Sequence, residues 1–154
     1  MCNLPVHVAD SEKLARAIMS PYHFDKKGKL RPAAFRAEPG RDDASVIRLA
    51  HADAADFCKR KALEIANNTP GKTYKGLAVL TAEQIRGVGA EVTDSRDVFC
   101  GHAHISYGII VRRNEPQESE LNLRLTEMTR RLLKVALYHE DPNPSSASWT
   151  GPPL

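Results

Sequence analysis

Apolar positions along the chain change their period several times, and each change predicts a different element. A continuous apolar run at residues 77–80 predicts a buried strand. Shorter apolar segments predict strands at residues 5–9, 33–36 and 45–49. Over residues 97–113 the apolar side chains fall on alternate positions, which predicts a long strand with a core face made by Phe99, Ala103, Ile105, Tyr107 and Ile109.

Helical periods lie between these strands. The apolar pairs 14–15 and 18–19 predict a helix that ends before Pro21. A second helix is predicted at residues 53–67, and a capping box at residues 81–84 predicts a short third helix. The longest predicted helix covers residues 117–139, because apolar residues recur there at alternating spacings of four and three: Leu121, Leu125, Met128, Leu132 and Val135.

Strands and helices in this order favour the α+β class, with a mixed sheet of about five strands, three or four helices and a long C-terminal helix. We expect one α+β domain over residues 1–140 and an extended tail, rich in Pro and Ser, over residues 141–154. The only tryptophan, Trp149, is the one aromatic side chain of this tail and its largest apolar anchor. It therefore predicts that the tail packs into a groove on the same domain or on a neighbouring chain.

Composition and cysteine usage suggest where the protein works. Apolar residues make up 42% of the chain and charged residues 27%, which is typical of globular proteins. No apolar run approaches the ~18 residues of a membrane helix, and the N-terminus lacks the pattern of a signal peptide. Three cysteines without a Cys-x-x-Cys pair predict reduced thiols. We expect a soluble, cytoplasmic protein without a disulfide framework.

Positive charge is concentrated in residues 26–36, which contain five Lys and Arg residues and no acidic one. Lys26, Lys27, Lys29 and Arg31 form the densest part of this segment. Such a cluster can contact the phosphates of a nucleic acid. The alternative interpretation is a solvated turn between two elements, since Lys and Arg are common in loops.

The sharpest local motif is Cys100-Gly101-His102-Ala103-His104. On a strand, Cys100, His102 and His104 project from the face opposite the core face. Residues two apart on a strand lie roughly 7 Å from each other. Two imidazoles and a thiol in this arrangement can bind a divalent metal such as zinc. The sequence places no further ligand at a recognisable spacing, so a face of histidines hydrogen-bonded to the backbone is the alternative.

A metal-free role for the histidines is a second hypothesis. An imidazole titrates near neutrality, so His102 and His104 can act as general base and acid on a phosphodiester. The segment His104-Ile105-Ser106 resembles one His-x-Ser/Thr motif of the two-histidine phosphoesterases, which place a second such motif on a neighbouring strand. His7 is the candidate for the second catalytic histidine, although Ala9 stands where that motif has its hydroxyl.

Two function classes follow from these features. One is an accessory module that binds nucleic acid through residues 26–36, or a protein partner or second copy through the 117–139 helix or the tail with Trp149. The other is a His-dependent hydrolase or transferase that acts on a phosphate-containing substrate at His102 and His104. If the histidines and other titratable residues meet in one cleft, the enzyme is favoured; if they lie apart, the binding module is favoured.

Overall fold

A six-stranded antiparallel sheet is the centre of the computed structural model, which describes residues 1–50 and 53–154. The strands run β4-β5-β2-β1-β3-β6 across the sheet. The α+β class is confirmed, with six strands within the described ranges rather than about five, and with antiparallel rather than mixed pairing. In chain order the strands are β1 (Lys13–Ser20), β2 (Asp43–Arg48), β3 (Thr73–Thr81), β4 (Glu91–Asp94), β5 (His102–Ser106) and β6 (Leu137–Glu140).

Helices cover both faces of this sheet. A 3-10 helix (Pro32–Phe35), α2 (Ala82–Gly87) and α3 (Glu120–Val135) pack on one face, around the larger apolar core. The other face is covered by α1 (Ala54–Asn67) and the C-terminal tail, around a smaller core. Within the described ranges, no helix combines the length and the apolar character needed to cross a membrane.

The first predicted helix is wrong, because its residues form the central strand β1. Leu14 and Ile18 lie in the larger core, whereas Ala15 and Met19 lie in the smaller one. A strand buried on both faces loses the alternation of apolar and polar residues that marks a half-exposed strand. A register shift between Ile18 and Met19 in the ladder with β3 further disturbs the period. The resulting spacing imitates a helical one.

Two short predicted strands are also wrong. Residues 33–36 belong to the 3-10 helix, which begins at Pro32 and buries Ala34 and Phe35. Residues 5–9 form no strand. Their carbonyl groups accept hydrogen bonds from arginine side chains rather than from a neighbouring strand. Arg48 donates to Pro5 O at 2.7 Å, and Arg86 donates to Val8 O at 2.8 Å.

The long strand predicted at residues 97–113 is paired only over β5. Ala103 and Ile105 do face the larger core and the histidines of β5 do face the other side, as predicted. The helix predicted at residues 117–139 ends at Val135, because the next residues pair with β3 as β6. The predictions for α1, β2, β3 and the capping box of α2 are confirmed to within a few residues.

The tail has no regular secondary structure and lies against α1. Lys59 on α1 forms a fully buried ion pair with Asp141, at 2.9 Å, and also donates to the carbonyl groups of Asn143 and Ser148. Trp149 packs on the smaller core, and its backbone N–H donates to Asp56 at 2.7 Å. Of the two grooves expected for Trp149, the one on its own domain is occupied.

Candidate anion-binding site

The two central strands of the sheet stay paired over only two positions. Leu14 pairs with Arg48 and Ala15 with Ile47, and the ladder stops there although both strands continue. Arg16, the next residue of β1, bridges the gap. Its Nε donates to Ala34 O at 2.9 Å and its NH1 group donates to Ser45 O at 2.8 Å. A guanidinium group therefore stands where ladder hydrogen bonds would otherwise continue.

The positive charge of Arg16 is in no direct ion pair with a carboxylate among residues 1–50 and 53–154, although the charge of Glu38 acts on it from a greater distance. Both of its hydrogen-bond acceptors are neutral carbonyl groups. Burial is the largest effect on the pKa of Arg16 and lowers it. The ordinary pKa of a guanidinium group is so high that Arg16 stays protonated. Two of its five N–H groups are used, so three remain for a ligand.

A cleft opens at this gap, on the α1 side of the sheet, and we call it the Arg16 cleft. Its volume is about 270 Å³. A smaller concavity of about 160 Å³ adjoins it and shares Arg16, Glu38 and Ser45. The Arg16 cleft is lined by Ala15, Arg16, Ala17, Met19, His23, Glu38, Ser45, Ile47, Ile65, Thr69, Lys72, Phe99 and His102.

His23 contributes a fixed hydrogen-bond donor to this cleft. The backbone N–H of Met19 donates to His23 Nδ1 at 2.9 Å, so the proton of the neutral ring lies on Nε2. Burial, followed by the positive charges of Arg16, Lys72 and Arg31, lowers the pKa of His23 to about 3. The ring is therefore neutral at physiological pH and presents an N–H group.

Two further cations lie at the cleft without a carboxylate partner in the described part of the chain. Lys72 is partly buried, and its ammonium group lies 5.6 Å from the centre of the Tyr22 ring. Arg36 lines the adjoining concavity and donates to the neutral side chains of Thr126 and Asn122. Arg41 in the same concavity differs, because Asp43 neutralises it at 3.0 Å. Unpaired positive charge thus converges on one opening.

The two predicted histidines of β5 lie beside each other at this cleft. Their ring centres are 4.8 Å apart, and His102 lines the cleft itself. His102 is 6% exposed, and its Nδ1 forms no hydrogen bond with the described residues. Burial, followed by the neighbouring His104, lowers the pKa of His102 to about 4. His102 is therefore a neutral imidazole in the free protein.

His104 is held by one side-chain hydrogen bond rather than open to the cleft. Ser95 Oγ lies 2.9 Å from its Nε2. Its buried Nδ1 has no hydrogen-bond partner among the described residues, and Asp43 Oδ2 lies 3.6 Å from it. His104 therefore supports the edge of the cleft next to His102.

The proposed metal set is contradicted at one of its members, and no further ligand joins it. Cys100 forms a disulfide with Cys2, so its sulfur is not a free thiolate ligand. Among residues 1–50 and 53–154, no group of three or more metal-binding side chains is arranged around a common point. The disulfide also contradicts the expectation of three reduced thiols, and it removes the argument from cysteines for a cytoplasmic protein. Cys58 is the buried free thiol.

His7 does not join the other histidines. It is exposed and lines a separate shallow cavity together with Asp10, Arg86 and Glu91. Asp94, which borders this second cavity, is paired with Arg48 at 2.6 Å. A catalytic arrangement of His7 with His102 and His104 is therefore not formed.

The basic turn lies next to the Arg16 cleft. Lys26, Lys27, Lys29 and Arg31 are all exposed, in a turn whose backbone is capped by Asp25. The turn continues directly from His23, whose carbonyl group accepts a hydrogen bond from Arg31 N at 3.0 Å. Of these four side chains, Arg31 acts on the cleft, since its positive charge contributes to lowering the pKa of His23.

The sequence pattern gave no signal for Arg16, His23 or Lys72 as site residues, and it included Arg36 only as the last cation of the basic segment at residues 26–36. They lie in four separate segments, and only the premature end of the β1–β2 ladder brings them together. Comparisons with protein-family models, with curated proteins and with solved structures find no match for this chain. The function must therefore be argued from the cleft itself.

Proposed function

We propose that the protein binds a phosphate-containing ligand, a free nucleotide or a nucleic-acid strand, in the Arg16 cleft. The observation that carries the proposal is the partly buried guanidinium group of Arg16, which has unused donors and forms no direct ion pair with a described carboxylate, Glu38 being exposed and further away. A positive charge in such a position is stabilised when an anion supplies the missing partner. A phosphate matches the fork of donors on a guanidinium group.

The other cleft residues support an anion rather than a cation. His23 presents an N–H group, Lys72 is an ammonium group, and Arg36 adds a second guanidinium group at the adjoining concavity. Only donors surround the position next to Arg16, apart from the exposed carboxylate of Glu38 and the ring of His102. The balance of charge favours a ligand with at least one negative charge.

The far wall of the cleft supports a ligand with an apolar part besides its phosphate. Met19, Ile47, Ile65 and Phe99 lie along this wall. A cleft with a few convergent polar groups and an otherwise apolar lining is typical of a small-molecule site. The basic turn beside the opening would contact further phosphates if the ligand is a strand.

Isothermal titration calorimetry tests the proposal. Titration with adenosine monophosphate should release heat, and adenosine should not, because it lacks the phosphate. A single-stranded oligonucleotide that binds more tightly than the monophosphate identifies a strand, and equal affinities identify a nucleotide. Absence of binding by all phosphate compounds at low salt contradicts the proposal.

Three substitutions locate the site. Arg16→Lys retains the charge but loses the fork, and Lys72→Met and Arg36→Met each remove a charge. Each should weaken binding of adenosine monophosphate about tenfold or more, since hydrogen bonds to charged groups contribute about 1.5–3 kcal/mol. Lys134→Met, at the end of α3 on the opposite face of the sheet, is the control and should leave binding unchanged. If Arg16→Lys fails to fold, the other two variants still decide.

A further inference from the structure

His102 differs from the three nitrogen donors that surround the phosphate position, and unlike the exposed carboxylate of Glu38 it is buried at the cleft. Arg16, Lys72 and the Nε2–H of His23 can only donate there, whereas a neutral imidazole also accepts a proton. The imidazole of His102 makes no hydrogen bond with the described residues, and its buried Nδ1 is left without a partner, so the ring is not committed to holding the fold. The accepting nitrogen of a neutral imidazole adds nothing to the binding of an anion. It suits a reaction in which a nucleophile loses a proton.

We propose that His102 is the general base in the hydrolysis of a phosphodiester held at Arg16. The proposal rests on the binding function above. Water attacks the phosphorus, a new P–O bond forms, and the P–O bond to the leaving group breaks. His102 accepts the proton of the attacking water, and the leaving oxygen takes a proton from Lys72 or departs as an anion if it is stable. Proton exchange with solvent then restores both side chains.

The surroundings of His102 suit this role. The carboxylates of Asp97, Asp43 and Asp94 favour its protonated form, against the larger effects of burial and of His104. A bound phosphate adds a further negative charge and raises the pKa of His102 towards the range of an effective base. The ring can therefore be neutral before substrate binds and hold a proton afterwards.

His104 is a positioning residue in this scheme. Its ring lies edge-to-face against His102 at an interplanar angle of 82°. The hydrogen bond with Ser95 holds His104 in turn. Loss of His104 should therefore lower kcat by letting the His102 ring move, with a smaller effect on KM.

The test uses the full chain and bis(4-nitrophenyl) phosphate, whose nitrophenolate leaving group needs no acid. Release of nitrophenolate should fall about 100-fold or more in His102→Gln, the low end of typical general-base contributions. His7→Gln, in the separate cavity, should release nitrophenolate at the wild-type rate. Binding of adenosine monophosphate should survive in His102→Gln, which separates loss of catalysis from loss of the phosphate site.

The same assay gives the contradicting results. If the wild-type protein binds phosphate compounds but releases no nitrophenolate above buffer, or if His102→Gln is as active as wild type, the catalytic inference is wrong and the binding function stands. If His102→Gln fails to fold, the pH dependence of wild-type kcat/KM decides. The profile of kcat/KM against pH should be flat between about pH 5.5 and 8, because the base is already neutral in the free protein. A rise centred near pH 6.5, the ordinary histidine value, would assign the base to another histidine.

Discussion

Acidification should destabilise this protein through two histidines of the cleft. The pKa of His23 is lowered to about 3 and that of His102 to about 4, both mainly by burial. In the unfolded chain both rings regain a pKa of about 6.5. Between these values the unfolded chain binds protons that the folded protein excludes. The free energy of unfolding therefore has its full value above about pH 6.5, and it falls as the pH decreases below that value.

The magnitude follows from the distance between the pH and the unfolded value. At pH 5 each histidine lies about 1.5 units below its unfolded pKa, and each unit corresponds to about 1.4 kcal/mol. Each ring therefore contributes a loss of about 2 kcal/mol, and the two together about 4 kcal/mol. Such a loss is a large fraction of the stability of a typical domain.

Urea unfolding followed by far-ultraviolet circular dichroism, at pH 7 and pH 5, measures this loss. His23→Asn is the informative variant, because an amide oxygen can still accept from the N–H of Met19 but does not titrate. It should show about half of the wild-type loss, whereas His7→Gln, at an exposed position, should show all of it. A wild-type loss below about 1 kcal/mol, or an unchanged loss in His23→Asn, would refute the reasoning.

Two further predictions concern the contacts that hold the tail and the N-terminal segment. Lys59→Met leaves the buried carboxylate of Asp141 without its cation and should cost about 3–5 kcal/mol, whereas Arg60→Met, at an exposed position of α1, should cost under about 1 kcal/mol. Equal costs in urea unfolding would contradict this account of the tail. The disulfide joins residues separated by 98 positions, so its reduction should lower the unfolding free energy by about 4–5 kcal/mol. Cys2→Ser should reproduce that loss without reductant, and a protein insensitive to both would show that the Cys2–Cys100 bond does not stabilise the fold.

The elements of the fold could be predicted where interactions between neighbouring residues are enough to determine them. The capping box at Thr81 and Gln84 starts α2 as expected, because reciprocal side-chain and backbone hydrogen bonds need only neighbouring residues. The pattern failed at β1, because a central strand buried on both faces carries no alternation to distinguish it from a helix. It failed again at β6, whose four residues are a strand only because β3 provides their partner.

The site was predictable only in part for the same physical reason. His102 and His104 lie two residues apart on one strand, so their shared face follows from the sequence alone. Their neighbours Arg16 and Lys72 come from distant segments, and the gap between β1 and β2 that collects them is a property of the sheet. The pairing of Cys2 with Cys100 likewise depends on where the N-terminal segment is held.

The most direct test of the binding function is a phosphate titration followed by amide NMR. The Arg16 cleft predicts saturable shifts at the residues that line it from β1, β2 and β5: Ala15, Arg16, Ala17, Met19, Ser45, Ile47 and His102. Arg16→Lys should reduce these shifts at the same phosphate concentration, while the signals at the C-terminal end of α3, residues 130–135, stay unchanged. Shifts confined to the basic turn at residues 25–31, or the absence of any saturable shift at low salt, would contradict the assignment of the cleft as a phosphate site.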